Sequence, residues 1–371
     1  MITPSSQNLS VGISQIRKMM ETRKDGDINL GLGELGFPTP DIIVQTAKKI
    51  LSTERIGYTE NSGLAQTKST VATYYKSNNP NGICICTGAQ EALFATLATY
   101  CKKGDKVLVA NPTFLAYQSV IKLNSGTPIS FNLDRKNGFR FSVKSFQKAL
   151  DKGAKIVVLN TPSNPTGVSF SKTDIKQIVD IVKPRDTLLI VDEIYRELYH
   201  KTKPASFFGK ADNIIVISGL SKSHLASGFR LGWLASSNQK LVKPIITTHQ
   251  YLVTCASYIS QRLAQELLLT DVLSPIRAVL KTNLGLVREL FGRYHNFSLA
   301  PSDSHPFAFV KVPIDDVEFA NNLQKMGVTT ICGSAFGSQA RGYIRINYAL
   351  ETALLKTALL RIQRFIENET F

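Results

Sequence analysis

The chain has 371 residues, 43% of them hydrophobic and 19% charged, with a net charge of +16. The composition is that of an ordinary globular protein, and the length suits a large domain with a smaller one beside it. No apolar run reaches the roughly 18 residues of a membrane span, and the opening Met1-Ile2-Thr3-Pro4 lacks the basic-then-apolar order of a secretory signal.

The lysines are spread along the chain (Lys48-Lys49, Lys102-Lys103, Lys152, Lys172, Lys201, Lys240). Spread charge of this kind is a solvated basic surface that attracts anionic small molecules, not a nucleic-acid interface. Five scattered cysteines, Cys84, Cys86, Cys101, Cys255 and Cys332, point to reduced thiols in a cytoplasm. Cys84-x-Cys86 sits in a β-like run without metal-ligand spacing, so both thiols are expected to be small buried hydrophobes, and no metal is expected.

In chain order, Leu9, Ile13, Ile16 and Met20 recur at helical spacing and predict an amphipathic N-terminal helix. A glycine-rich extended stretch, Gly31 to Pro40, follows. From about 45 to 240 short apolar strands alternate with helical segments. The predicted strands are Lys106–Ala110, Ile156–Asn160, Thr187–Asp192, Asn213–Ser218 and Leu231–Ser236, and Ser171 with Asp174 reads as a capping box. Such alternation predicts an α/β fold with a mostly parallel sheet covered by helices on both faces. A long helical region from about Gln239 to Leu269 closes this part. Strands at Phe307–Val312 and Tyr343–Asn347, with helices at Asp315–Met326 and Thr352–Ile366, predict a smaller α+β domain. The expected division is 1–44, an N-terminal helix and substrate loop packing with the small domain; 45–270, the large domain; and 271–371, the small domain.

Polar clusters sit just past the predicted strand ends, where open parallel sheets bind ligands. They are Asn160-Thr161-Pro162-Ser163-Asn164-Pro165-Thr166-Gly167, Asp192-Glu193-Ile194-Tyr195 and Ser218-Gly219-Leu220-Ser221-Lys222, with Arg230 beyond. Any one of them could be a turn; three in this order are specific.

The ordered set Asn-Pro-Thr-Gly, Asp-Glu-x-Tyr, Ser-Lys, Gly-Phe-Arg-Leu-Gly and Arg-Ile-Asn-Tyr resembles the class I/II aminotransferases of fold type I, which use pyridoxal 5′-phosphate (PLP). The resemblance runs from Gly33 to the last helix. It implies Lys222 as the Schiff-base lysine and general base, since an amine of lowered pKa can form an imine and move a proton. It implies Asp192 as the acid facing the pyridine nitrogen, and Tyr195 and Asn164 as donors to the cofactor's phenolic oxygen. Arg230, Ser221 and the turn Gly88-Ala89-Gln90 before a helix match the phosphate site. Phe114 matches the aromatic that stacks on the ring. Tyr58 matches a tyrosine that reaches the neighbouring subunit's phosphate, which implies a homodimer. Arg345 matches the fork for the substrate α-carboxylate, and Gly33 a loop that closes over the substrate.

Three positions depart from the family pattern. Gly219 stands where many members have Ser or Thr, so one phosphate contact is expected to be missing. Glu34-Leu35-Gly36-Phe37 replaces Glu-Pro-Asp-Phe in the substrate loop. Gln90 stands where the bacterial aspartate enzymes have a lysine for the side-chain carboxylate, so a weakened preference for aspartate is expected. The implied reaction is transamination between an amino acid and a 2-oxo acid. The same site chemistry also serves C–S lyases, decarboxylases, cyclases and oxidases, which the sequence separates poorly.

Overall fold

The computed structural model describes residues 3–21 and 23–369. The strands in chain order are β1 (Ile28–Asn29), β2 (Ile83–Cys86), β3 (Lys106–Asn111), β4 (Thr127–Asn132), β5 (Ala154–Asn160), β6 (Leu188–Asp192), β7 (Ile214–Gly219), β8 (Gly232–Ala235), β9 (Ser298–Leu299), β10 (Phe307–Lys311), β11 (Val328–Thr329), β12 (Ile331–Cys332) and β13 (Tyr343–Asn347). Seven of them form one sheet in the order β2-β8-β7-β6-β5-β3-β4. It is parallel except for β8, which runs antiparallel to both neighbours.

The central strands are near-continuous apolar runs because both faces of the sheet are covered. Successive side chains alternate between two layers. Leu108, Val157, Leu159, Leu189, Val191 and Val216 pack with the helices Asp41–Thr53, Lys172–Val182 and Tyr258–Leu267. Val107, Val109, Ile156, Val158, Ile190 and Ile215 pack with Ala89–Tyr100, Ala116–Leu123 and Gln239–Val253. The Ser171 and Asp174 capping box is present at the start of Lys172–Val182. Beside the large sheet lies an antiparallel one, β12-β13-β10-β9. Its outer layer, with Leu284, Val287, Phe319, Leu355 and Ile362, comes from the helices Ser274–Gly292, Asp316–Lys325 and Thr352–Asn368.

Two sequence expectations are corrected. The N-terminal helix is two short ones, Ser6–Leu9 and Gln15–Glu21. Leu9 and Ile13 are 63% and 61% exposed rather than on a buried stripe, and the side chains of Ile16 and Met20 lie outside the described residues. The helical region after Gln239 breaks at Thr254, whose φ of 65° leaves the helical range, and resumes at Tyr258–Leu267. No helix among the described residues is long and apolar enough to cross a membrane.

Candidate active site

β5, β6 and β7 are adjacent and parallel, so their C-terminal ends open on one edge, with Asn160 opposite Asp192 and Asp192 opposite Ile217. From β7 the chain turns directly into a single helical turn, Leu220–Ser223, which carries Lys222. A pocket at this edge is lined by Asp192, Tyr195, Asn164, Lys222, Ser221 and Arg230, and on its other wall by Ala89, Gln90, Phe114 and Tyr117.

Asp192 lies at the pocket floor. Its Oδ2 accepts a 2.7 Å hydrogen bond from the Tyr117 hydroxyl and its Oδ1 a 3.0 Å bond from the Ile194 N–H. Burial pushes its pKa up to about 6, against the pull of those two bonds and of Lys222. The next side chain, Glu193, points to the opposite layer, accepting from Ser206 Oγ at 2.9 Å and Phe207 N–H at 2.8 Å. Burial lowers the Lys222 amine to about 8; Glu34 opposes that shift, Arg230 and Arg345 reinforce it, and Asp192 opposes it.

Arg345, on β13, is fully buried. It donates through Nη1 to Asn164 Oδ1 at 2.7 Å and through Nη2 to the Gly31 carbonyl. Its guanidinium lies 4.3 Å from the Phe307 ring centroid and 4.9 Å from that of Phe336. Nε has no hydrogen-bond partner. Burial lowers its pKa to about 10. Gly33 lies against the Tyr195 hydroxyl and Phe307, so the glycine-rich loop passes over this corner. Tyr195 is buried edge-on to Phe307, and burial raises its pKa.

Arg230 adopts a left-handed backbone (φ 52°) and donates to Ser221 Oγ at 3.2 Å and to the Ser227 carbonyl at 2.8 Å. Its Nη2 would lie 2.7 Å from a Cβ at Gly88, the residue before the Ala89–Tyr100 helix. Phe114 stands edge-on to Tyr117, centroids 5.6 Å apart.

One site residue is not brought in. Tyr58 is 90% exposed and outside the pocket. Three contributors had no role assigned from sequence: Tyr117, Glu34 and the Phe307–Phe336 pair. Tyr117 follows Phe114 by three positions in the same segment, which is the signal that could have found it. Glu34 reaches Ser227 Oγ across the loop, a contact that no spacing foretells.

A parallel sheet whose carboxyl edge carries a buried acid, a lysine of lowered pKa and an arginine beside a helix start defines a fold-type-I PLP enzyme. The chain belongs to the aminotransferase class I and II family, whose model matches residues 25–362. It is 29% identical to a probable aspartate aminotransferase of Methanocaldococcus jannaschii, over 98% of this chain and 100% of that one. It is 30% identical to a probable N-acetyl-LL-diaminopimelate aminotransferase of Bacillus subtilis, over 99% and 96% of the two chains. Among solved structures, the aspartate aminotransferase of Thermotoga maritima superposes with a TM-score of 0.89 at 28% identity, covering 98% of this chain and 100% of that one. The protein is therefore a PLP-dependent transaminase moving an α-amino group between an amino acid and a 2-oxo acid. These relatives favour transamination over the lyase, decarboxylase, cyclase and oxidase alternatives.

The residues fit the cofactor. Its ring nitrogen calls for a buried carboxylate, its aldehyde for an amine, and its phosphate for backbone N–H groups at a helix start with an arginine. Gly88 admits Arg230 at a distance that any Cβ would block. The buried Arg345, whose hydrogen-bond partners are all uncharged, offers a cation to a carboxylate.

The Lys222 shift gives a direct test on cofactor-free protein. Labelling of amines by an acylating reagent, read peptide by peptide across pH, is expected to show Lys222 half-reactive near pH 8. Exposed lysines should reach that point above about pH 10. Titration of Lys222 with the exposed lysines would show that burial does not depress it.

Proposed function

We propose that Lys222 carries the cofactor and acts as the general base, that Asp192, Tyr195 and Asn164 set the cofactor's protonation, and that Arg345 holds the substrate α-carboxylate. The observation that supports this best is the convergence of Lys222 and Asp192 in one pocket, the base shifted down to about 8 and the acid up to about 6. Bound PLP supplies the electron sink that stabilises negative charge at the substrate Cα.

The protein's part is positional and electrostatic. Lys222 Nζ takes the proton from the substrate Cα and later returns one. The Asp192 carboxylate is fixed by Tyr117 and the Ile194 N–H and would keep a proton on the cofactor's ring nitrogen. Tyr195, its pKa raised, remains a donor at working pH, and the Asn164 side chain stands beside it. Gly88, Ala89, Gln90, Ser221 and Arg230 would hold the phosphate, and Phe114 would supply the aromatic face for the ring. Arg345 pairs with the carboxylate, and the loop through Gly33 covers it and keeps water out.

We infer also that the enzyme is a homodimer in which Tyr58 completes the partner's phosphate site. Tyr58, Tyr251, Leu252 and Val253 are all exposed, Tyr58 and Tyr251 at 90% and 83%. The Asn61 side chain bonds the Thr254 carbonyl at 2.8 Å, joining the two segments into one apolar face. Residues 45–270 and 271–371, the latter with 1–44, are read as the two domains. Five free cysteines suit a reducing cytoplasm.

Lys222→Ala is expected to lower the transamination rate by at least about 10³-fold. Borohydride treatment of the wild type should leave the cofactor mass on the Lys222 peptide; recovery on another lysine would reassign the role. Mixing inactive Lys222→Ala with an inactive Tyr58 variant should restore activity at up to about a quarter of the sites once subunits exchange, because each heterodimer regains one intact site. No recovery with demonstrated exchange would refute a shared site. Specificity is expected to favour neutral or aromatic donors over aspartate, since Gln90 offers a neutral hydrogen bond, about half as strong as a charge-assisted one. Gln90→Lys should shift the kcat/KM ratio toward aspartate. A wild-type aspartate value far above those for phenylalanine, leucine and alanine would sink this reading.

A further inference from the structure

We propose that Cys84, Cys86 and His249, with Glu91, form a buried site for a thiolate-preferring divalent metal of the zinc class, apart from the cofactor pocket. The sequence spacing alone offers only two cysteines, and the third ligand arrives through the fold. Cys84 and Cys86 are two residues apart on β2, so their side chains leave the same face of the strand. Both are buried in the layer that holds Leu97 and Val242. His249 enters that layer from the Gln239–Val253 helix. A ring nitrogen of His249 and the two sulfurs lie within 4.8 Å of one another, and all three residues are buried.

Glu91 stands beside this set, in the first turn of the Ala89–Tyr100 helix. Its Oε1 is 3.1 Å from His249 Nδ1, and its Oε2 accepts a 3.1 Å bond from the Thr87 N–H. A carboxylate against a histidine ring either adds an oxygen ligand or fixes the ring that ligates. Two sulfurs, one imidazole and one carboxylate are donors that zinc takes in four-coordinate sites, and sulfur disfavours magnesium and calcium.

Ordinary buried thiols would explain Cys84 and Cys86 alone. They would not explain why two other helices deliver an imidazole and a carboxylate onto them inside an apolar layer. The polar groups there meet chiefly one another: the Cys84 and Cys86 thiols are hydrogen-bonded to each other, and Glu91 contacts both Cys86 and His249. The thiol contacts to backbone carbonyls are long, 3.9 Å for Cys84 and 3.6 Å for Cys86. His249 Nε2 is buried without a hydrogen-bond partner. A bound ion replaces these weak contacts with ligand bonds, and binding releases the two thiol protons. The site ties β2 and the Gln239–Val253 helix to the helix whose first residues, Ala89 and Gln90, face the cofactor pocket.

The test uses the holoenzyme, produced in medium supplemented with zinc or cobalt, purified under reducing conditions and washed with chelator. Elemental analysis should find one metal per chain. The cobalt form should show intense tetrahedral ligand-field bands in the red, clear of the cofactor's absorption. Cys86→Ser and His249→Gln should each reduce the metal to background, while Cys101→Ser and Cys332→Ser retain it. Should the first two variants not fold, zinc-edge X-ray absorption of the wild type decides: two sulfur scatterers support the site, and a shell of nitrogen and oxygen alone overturns it. Wild-type protein without stoichiometric metal overturns it equally, as does metal retained in folded Cys86→Ser and His249→Gln.

Discussion

Arg345 is a cation taken fully out of water whose hydrogen-bond partners, Asn164 Oδ1 and the Gly31 carbonyl, carry no net charge. A buried ion held only by neutral dipoles and ring faces is costly, and the lowered pKa records the cost. The arrangement persists because each partner is fixed elsewhere. Asn164 is held through its own N–H by Asn160 at 2.8 Å, at the end of β5. Gly31 belongs to the segment that Asn347, two residues beyond Arg345 on β13, grips at the Leu32 and Glu34 carbonyls. One side chain thus joins the large sheet, the small sheet and the loop over the site. The position of that loop and the orientation of the guanidinium are set together.

At the other end of the pocket, the same desolvation acts in opposite directions on an acid and a base. Burial destabilises the charged form of each, so Asp192 moves up and Lys222 moves down. Their mutual attraction opposes both shifts without cancelling them. Acid and base are left titrating closer to neutrality than their free counterparts, which is the condition for moving protons at working pH. Tyr117 limits the rise at Asp192, since a donated hydrogen bond favours the carboxylate. Without this one hydroxyl the Asp192 carboxyl would rise further.

The sheet and most of the site were legible because each rests on local signals. Strands buried on both faces must be apolar throughout, and β3, β5, β6 and β7 appear in the sequence as such runs, each ending in the polar residues that line the edge. Edge strand β4 (Thr-Pro-Ile-Ser-Phe-Asn) is only partly buried and carries no such run, so it was missed. The N-terminal periodicity of Leu9 and Ile13 looked like a buried stripe, but the Ser10–Ser14 segment between the helices leaves both exposed. Tyr117, Glu34 and His249 gain their meaning from neighbours far away in sequence, and no local pattern encodes that.

The glycines around the start of the Ala89–Tyr100 helix show how a residue's identity can follow from packing rather than from its own contacts. Gly219 was expected to mark a lost hydroxyl contact. Its φ of 172° is open to any residue, yet a Cβ there would meet the Leu231 carbonyl at 2.6 Å. Gly232, its partner on antiparallel β8, would bring a Cβ to 2.5 Å from the Ala89 nitrogen and the Gly88 carbonyl carbon. Only Gly88, at φ 95°, also needs a left-handed backbone. β7, β8 and the turn before the Ala89–Tyr100 helix are therefore packed backbone to backbone. That packing holds the helix start beside Arg230 and leaves no room for a serine or threonine at 219. The missing hydroxyl follows from a closer approach of main chains, which seats Arg230 against Gly88 at the start of the Ala89–Tyr100 helix.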